Sequence, residues 1–509
     1  MKKNALISVF DKEGIVEFAR NLKDIGYNII STGGTFKLLQ KEGIEVSDVS
    51  SVTEFPEMLD GRVKTLHPRI HAGILYRRDI QGDVEILEEK KIPSIDIVVN
   101  SLYPFEEMLA QDRDEDTMIE NIDIGGPSMI RAAAKNFKHV AIVVDKNDYG
   151  EVIERIKKDS LDLEYRKKLA AKAFSLTAYY DGVIANYFNE ITDNIFPQHL
   201  TRPFRLESQL RYGENPHQKA SYYIDGYLRN DKKFDFEKLH GKEISFNNMN
   251  DLTGAVMSLK EFDLPTVVGV KHSNPSGIGS AENIDEAFDK AIACDSISIF
   301  GGIIALNRPV TVHIAEVIHS MFMEIVIAPD FEKEAFDILA QKKNIRLIKS
   351  KNIVEAKWQD LKFKDVINGV IVQEKDDLLF KDEDFKVVSK RQPSKEEIDS
   401  MIFGMKAIKN ANSNGVVLAK DNATVGYGFG EVRRSWAVEK AIERAGENIQ
   451  DSVLASDAFF FEDTVELLHE NNVKAAISPG GSIHDKAVIE LCDKYDIALV
   501  FTSTRHFKH

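Results

Sequence analysis

Tyr27-Asn28-Ile29-Ile30-Ser31-Thr32-Gly33-Gly34-Thr35 decides how the first part of this chain folds. Tyr27 to Ile30 has the apolar, β-branched make-up of a buried strand, and it runs directly into a turn of hydroxyls and glycines before a helical pattern reaching about Gln40. Such a turn aims backbone N–H groups and the positive end of a helix at one spot, which suits a phosphate; an ordinary strand-to-helix turn accounts for Gly-Gly beside Thr equally well. The same pattern recurs on both sides. Ala5 to Val9 is a short apolar run, followed by an acidic start at Asp11 and Glu13 and a helical pattern through Leu22. Ile95 to Val99 reads as a strand ending in Asn100-Ser101-Leu102-Tyr103-Pro104-Phe105. Ile122-Asp123-Ile124-Gly125-Gly126-Pro127 opens a helix from Ser128 to Asn136 that carries Arg131 and Lys135, and Val140 to Val144 is the last strand of this half. Alternating strands and helices predict an α/β fold with a parallel, helix-covered sheet whose ligands gather at the carboxyl ends of its strands. Ser31, Ser101 and the Gly-Gly loop fall at such ends.

Between these strands lies Leu59-Asp60-Gly61-Arg62-Val63-Lys64-Thr65-Leu66-His67-Pro68. Arg62 and Lys64 alternate, so on an extended segment both would face one anion. Tyr149 to about Glu190 is helical, and the prolines at 197 and 203 place a linker at Asp193 to Pro203. The second part begins with Leu210-Arg211-Tyr212-Gly213-Glu214-Asn215-Pro216-His217-Gln218 and passes through Asn247-Asn248 to a buried strand, Thr266 to Val270. Lys271 and His272 stand at that strand's exit, with Asn274-Pro275 and Gly277 expected to turn the backbone after them. The ammonium disfavours an imidazolium beside it, which keeps the histidine able to accept a proton. Phe300 to Ala305 and Ser413 to Ala419 read as further strands, the latter with a polar lead-in. A terminus of Thr504-Arg505-His506-Phe507-Lys508-His509 is unlike a frayed tail and is expected to be docked.

With 509 residues the chain needs more than one core. A hydrophobic content of 43% with 29% charged residues is that of a soluble globular protein, and a net charge of −16 argues against a general nucleic-acid binder. Cys294 and Cys492, the only cysteines, imply a reducing compartment and leave no zinc-ligand spacing. The chain start turns charged too soon for a signal peptide, and no apolar run approaches membrane-spanning length, so a cytoplasmic protein with no membrane partner is expected.

The blocks Ser31 to Thr35, Gly61 to Pro68, Leu102 to Phe105, Ile122 to Gly126, Leu210 to Gln218, Lys271-His272, Ala455 to Phe460 and Arg505-His506-Phe507, in this order and spacing, closely resemble the bifunctional purine-biosynthesis family that combines AICAR transformylase with IMP cyclohydrolase. The resemblance implies a methylglyoxal-synthase-like parallel-sheet domain over 1–195 holding the cyclohydrolase. It also implies a transformylase region over 196–509 of two cytidine-deaminase-like α/β units. Deaminases of that fold use zinc through H-x-E and P-C-x-x-C signatures, which this sequence lacks, so side-chain chemistry with no metal is expected. The family's substrates are AICAR, FAICAR and IMP, its formyl donor 10-formyltetrahydrofolate, and its assembly a homodimer.

In the implied transformylase, His272 is the base that takes the proton of a weakly nucleophilic amine, Lys271 tunes it, and Asn414 donates to developing charge. Arg211, Tyr212, Asn248, Arg434, Arg505 and Phe507 surround the ribotide, with Phe459, Phe461 and Asp463 on the folate side. In the implied cyclohydrolase, Lys64, Tyr103, Asp123 and Lys135 match the catalytic positions. Ser8, Lys12, Ser31, Thr32, Gly33, Gly34, Thr35, Arg62, Thr65, Gly125 and Gly126 grip the nucleotide, and which residue is the acid stays open. Two departures stand out: Ser101 replaces the family's asparagine, with Asn100 one place earlier, and no proline follows Phe460. The alternative is a first domain reduced to a nucleotide-binding regulatory module.

Overall fold

The computed structural model describes residues 3–228, 234–356 and 361–509, and they fall into two units. The first takes in Met1–Glu207 and Tyr223–Asn230, the second Ser208–Tyr222 and Asp231–His509. The break expected at 195/196 lies inside the first unit, in the irregular stretch after a helix of 29 residues, Leu163–Ile191.

The first unit is built on five parallel strands: β1 (Asn4–Ser8), β2 (Asn28–Ser31), β3 (Val46–Asp48), β4 (Ile97–Asn100) and β5 (Ala141–Val143), in the order β3-β2-β1-β4-β5. Leu6, Ile7, Val98 and Val99 are fully buried between helices that contribute Leu22, Leu39 and Ile130. The register sets Ile7 beside Ser31 and Ser8 beside Asn100, so three strands end at one level. The helical stretch expected from Tyr149 to Glu190 is two helices, Tyr149–Lys157 and Leu163–Ile191. Asp159 takes a left-handed φ of 50° between them, and the Asp162 carboxylate caps the second by accepting from Tyr165 N at 2.8 Å.

Two strands, β6 (Phe204–Leu210) and β7 (Ala220–Asp225), form a separate hairpin at the boundary between the units. The second unit's strands are β8 (Glu237–His240), β9 (Thr266–Lys271), β10 (Asn274–Ser280), β11 (Ile303–Leu306), β12 (Ile325–Ala328), β13 (Arg346–Lys349), the two-stranded hairpin β14 (Leu361–Val366) and β15 (Gly369–Glu374), β16 (Lys386–Val387), β17 (Val416–Lys420), β18 (Ala423–Gly428), β19 (Val453–Ser456), β20 (Ala475–Ser478) and β21 (Ala498–Phe501). Twelve of them make one sheet, ordered β16-β21-β20-β19-β17-β18-β10-β9-β11-β12-β13-β8.

That order is a duplication. A helix, a hairpin and three parallel strands separated by helices run from Phe246 to Lys349, and the same sequence of elements runs from Lys395 to Phe501. The halves join where β10 meets β18 antiparallel, Gly279 opposite Ala423. Helices Phe246–Leu259 and Lys395–Ile408 cover one face in a shared core with Val268, Val270, Val417 and Ala419, while the other helices cover the opposite face. The duplication reaches single atoms. A Cβ on Gly277 would lie 2.1 Å from Ala291 O, and one on Gly426 would lie 2.2 Å from Ala441 O, so both hairpins need glycine where a helix backbone crosses them.

The turn after β9 is not where the sequence pattern puts it. His272 and Ser273 make it, with φ of 52° and 59°, matching Asp421 and Asn422 at 50° and 57° after β17. Two successive left-handed residues suit the twist of a tight hairpin. Asn274, Pro275 and Gly277 belong to β10, where an irregularity between Pro275 and Gly277 accommodates the proline's missing N–H. Because β9 and β17 run in opposite directions, the exit of β9 and the start of β17 share one sheet edge. Among the described residues no helix is long and apolar enough to cross a membrane.

Candidate active sites

In the first unit the strand ends converge as the parallel pattern requires. Ser31 Oγ donates to Ile7 O at 2.7 Å, and Thr35 Oγ1 donates to Val9 O at 2.9 Å while accepting from Lys12 Nζ at 3.0 Å. Both hydroxyls are buried, so they tie the glycine turn to β1 and shape the site. Lys64 Nζ lies between two glycine turns: a Cβ on Gly33 would come within 3.3 Å of it and one on Gly61 within 3.5 Å. Burial holds Lys12 below the usual ammonium range, and the Lys64 charge adds to this against the opposing pull of Asp11. Two ammonium groups gathered at one glycine turn make this strand end a candidate anion site.

Asp123 closes the other side. Its Oδ1 accepts from Gly126 N at 2.8 Å, and its own N–H donates to Tyr180 Oη at 2.8 Å. Burial pushes its carboxyl up, despite the backbone N–H groups of Gly126 and Tyr103 and the charge of Lys64. Tyr103 is likewise pushed up by burial, with the Asp123 and Glu57 charges adding. Thr65 is buried beside Gly125, where a Cβ would meet its Oγ1 at 2.8 Å. Ser101 Oγ accepts from Phe10 N at 2.7 Å and Asp11 N at 3.2 Å, so the residue that departs from the family pattern pins the loop carrying Lys12. Asn100 is buried, and its Oδ1 has no partner among the described residues.

Two of the expected residues stand apart from this group. Arg62 has helical backbone, which cancels the alternation with Lys64, and its guanidinium pairs with Glu120. Lys135 lies ten residues beyond Gly125 on one helix, about 15 Å along its axis. There it lines a cavity of about 670 Å³ with His71, Ser128, Arg131, Lys167 and Phe174, apart from the Lys64–Asp123 group.

In the second unit, Lys271 Nζ donates to Phe300 O at 2.8 Å, and the exposed His272 ring makes no hydrogen bond among the described residues. The turn is held from both sides. Asp251 accepts from Ser273 N at 2.8 Å, and Asn274 Oδ1 accepts from Asn412 N at 3.1 Å, which links the exit of β9 to the start of β17. Next to it, Asp457 follows β19 with its side chain fully buried. Its Oδ2 accepts from Ser413 Oγ at 2.6 Å and Gly415 N at 3.0 Å, and its Oδ1 pairs with Arg434. Arg434 Nη2 donates in turn to Asn414 Oδ1 at 2.7 Å, which leaves Asn414 Nδ2 to donate to Glu431 O at 2.8 Å. Arg434, expected near the ribotide, is buried here and holds the Asn414 amide. Asp457 and Ser413 were missed as site residues; the polar Ser456-Asp457 after an apolar run was the available signal.

Other expected residues scatter. Asn248 closes a capping box with Ser245 at the start of helix Phe246–Leu259. Arg211 lies over Tyr212 at 5.5 Å, and no hydrogen bond or ion pair joins either to the Asp457 group among the described residues. Phe459 and Phe461 meet edge-on at 5.6 Å, Phe461 also packs on His484, and Asp463 pairs with Arg433 at 2.9 Å. Arg505 lies 4.4 Å from the Phe507 ring centre. Both cysteines are buried and unpaired, with burial pushing their thiols up to about 12. Among the described residues no group of three metal-ligating side chains gathers.

A strand end that gathers two ammonium groups in a parallel sheet, and a braced amide near a histidine turn in another sheet, are two candidate centres of an enzyme on one chain. The model of MGS-like domains matches residues 14–128, and that of the AICARFT/IMPCHase bienzyme matches 133–444. Relatives named "Bifunctional purine biosynthesis protein PurH" from Caldicellulosiruptor bescii and Thermoanaerobacter sp. are each 50% identical, with all of this chain and all of theirs aligned. The one from Caldicellulosiruptor saccharolyticus is 48% identical over the same extent. The chain belongs to the AICARFT/IMPCHase bienzyme family and is a formyltransferase and IMP cyclohydrolase of purine biosynthesis.

Proposed function

We propose that formyl transfer from 10-formyltetrahydrofolate to AICAR takes place at the shared edge of β9 and β17, and that FAICAR closes to IMP at the strand ends of the first unit. Division of labour near 195/196 goes with this reading. Each half of the second unit pairs a hairpin with three parallel strands, which supports the cytidine-deaminase-like description.

The observation that carries the assignment is the brace on Asn414. With Oδ1 held by Arg434 and one N–H given to Glu431 O, the amide has one N–H left, fixed in direction, for an oxyanion. His272, with no competing hydrogen bond, takes the proton as the 5-amino group attacks the formyl carbon. Lys271, whose Nζ donates to Phe300 O at 2.8 Å, supplies a proton toward the departing N10. Arg505 and Phe507 offer a cation and a ring to the ribotide, and Phe459, Phe461 and Asp463 the folate side. Arg211 and Tyr212, unattached to this edge within one chain, fit a homodimer in which a second copy completes the ribotide site.

Ring closure is intramolecular, so fixing the reactive conformer supplies much of its rate. Lys12, Lys64 and the Ser31–Thr35 turn would hold the phosphate end. Asp123 and Tyr103, both with raised proton affinity, stand where a proton must leave the attacking amide and reach the departing oxygen. Lys135 enters by family resemblance alone.

The test separates the steps. His272→Ala should lower tetrahydrofolate release by about 10² or more and leave IMP formation from purified FAICAR near wild type. Lys64→Ala should do the reverse. A folded His272→Ala protein with normal formyl transfer removes the assigned base, and one that loses both steps removes the separation of the centres.

A further inference from the structure

The last eight residues, Thr502 to His509, contain no helix or strand, yet His506 is only 1% exposed. Its backbone N–H donates to Asp457 O at 2.9 Å. Its ring lies between two acceptors, with Nδ1 2.7 Å from Asp376 Oδ2 and Nε2 2.8 Å from Leu379 O. The ring thus ties the tail to a carboxylate and a carbonyl of the segment after β15. Two residues on, Lys508 O accepts from Ser413 N at 2.9 Å, Lys508 N donates to Ser413 Oγ at 3.1 Å, and Lys508 Nζ donates to Asn410 O at 2.6 Å. The tail is therefore bonded to Asp457 and Ser413, the same groups that brace Arg434 and Asn414. Next to these anchors Arg505 and Phe507 remain exposed.

We propose that His506 is a positioning residue for formyl transfer, a latch whose catch is Asp376 on the segment after β15, and that the latch holds Arg505 and Phe507 against the ribotide. A flexible tail would lose conformational freedom on each binding event; a latched one has lost it already. The segment after β15 thereby acts on the site without touching substrate. The proposal rests on the reading of Arg505 and Phe507 as ribotide contacts.

Asp376 is the place to test it, because its side chain is 44% exposed and its truncation leaves no buried void. Asp376→Ala should raise the KM for AICAR about tenfold or more, the worth of a charge-assisted hydrogen bond, with a much smaller change in kcat and none in cyclisation. Asp376→Asn, which keeps an acceptor oxygen but not the charge, should restore part of the loss. Carboxypeptidase should also trim the terminus of the Asp376→Ala protein faster than that of wild type. Normal KM and normal resistance to trimming in Asp376→Ala would overturn the latch. Arg505→Ala is the separate check: an unchanged AICAR KM there removes the ribotide role of the tail, while the trimming assay still judges the latch.

Discussion

Removing the carboxylate of Asp457 should be the most costly single change at the transferase edge. Arg434 and Asp457 have side chains 9% and 0% exposed, so Asp457→Ala leaves a guanidinium in a dry site with no counter-charge. It also strips the acceptor from Ser413 Oγ and from Gly415 N. Breaking a buried pair from one side costs about 3–5 kcal/mol, a large share of the roughly 5–15 kcal/mol that holds a domain together. Both tryptophans, Trp358 and Trp436, belong to the second unit's sequence, so urea unfolding followed by their fluorescence reports on it. The midpoint should fall with the slope little changed. Formyl transfer should drop further than stability requires, by about 10², because Asn414 loses its orientation. Adding Arg434→Met to Asp457→Ala should recover part of the stability, since the unpaired charge is gone, but no activity. A loss below about 1 kcal/mol for Asp457→Ala would refute the reasoning, because an exposed pair costs that little.

Asp123→Asn should stabilise the protein while abolishing cyclisation. Burial raises the Asp123 carboxyl above its ordinary 3.8, so its favourable contribution is complete below that value and is lost as pH rises through the raised one. The variant's advantage in Tm should therefore be largest near about pH 7 and shrink on acidification; an advantage that grows toward acid would contradict the sign. If two chains share the transferase centre, inactive Lys271→Ala and Arg505→Ala proteins should regain partial formyl transfer once mixed and allowed to exchange. No recovery despite demonstrated exchange places both residues in one chain's site.

The strands and helices of the first unit were legible because period and punctuation agree there: apolar runs such as Ile29-Ile30 end in Gly, Ser or Asn, and the parallel sheet follows. The β9 turn was not, because His272-Ser273 carries no turn-forming glycine, and left-handed backbone at a histidine leaves no trace in composition. Asn274-Pro275 has the look of a turn, and only the partner strand shows it to be extended. Resemblance placed Arg434 near the ribotide, but nothing in the sequence pattern announced its buried carboxylate partner. Its carboxylate lies 23 residues away in sequence and beside it in space. The alternation of Arg62 and Lys64 misled for a local reason, a 3₁₀ turn at Leu59–Gly61 that carries helical backbone into Arg62. The duplication of the second unit is written in element order and close-approach glycines.

Two identical chains meeting across a two-fold axis must carry the same side chain at both equivalent places, whatever each place would gain from a different one. Joining the halves of the second unit into one polypeptide lifts that restriction. After β11 stands Asn307, whose Oδ1 accepts from Thr266 N at 2.8 Å and whose Nδ2 donates to Leu264 O at 2.7 Å, an amide satisfied by backbone alone. After β19, at the matching place, stands Asp457, which takes the corresponding N–H of Gly415 and has charge left over for a guanidinium. Of two corners related by an approximate two-fold, one thus carries an amide closed on backbone and the other a carboxylate holding a guanidinium, an asymmetry that only a fused pair can carry.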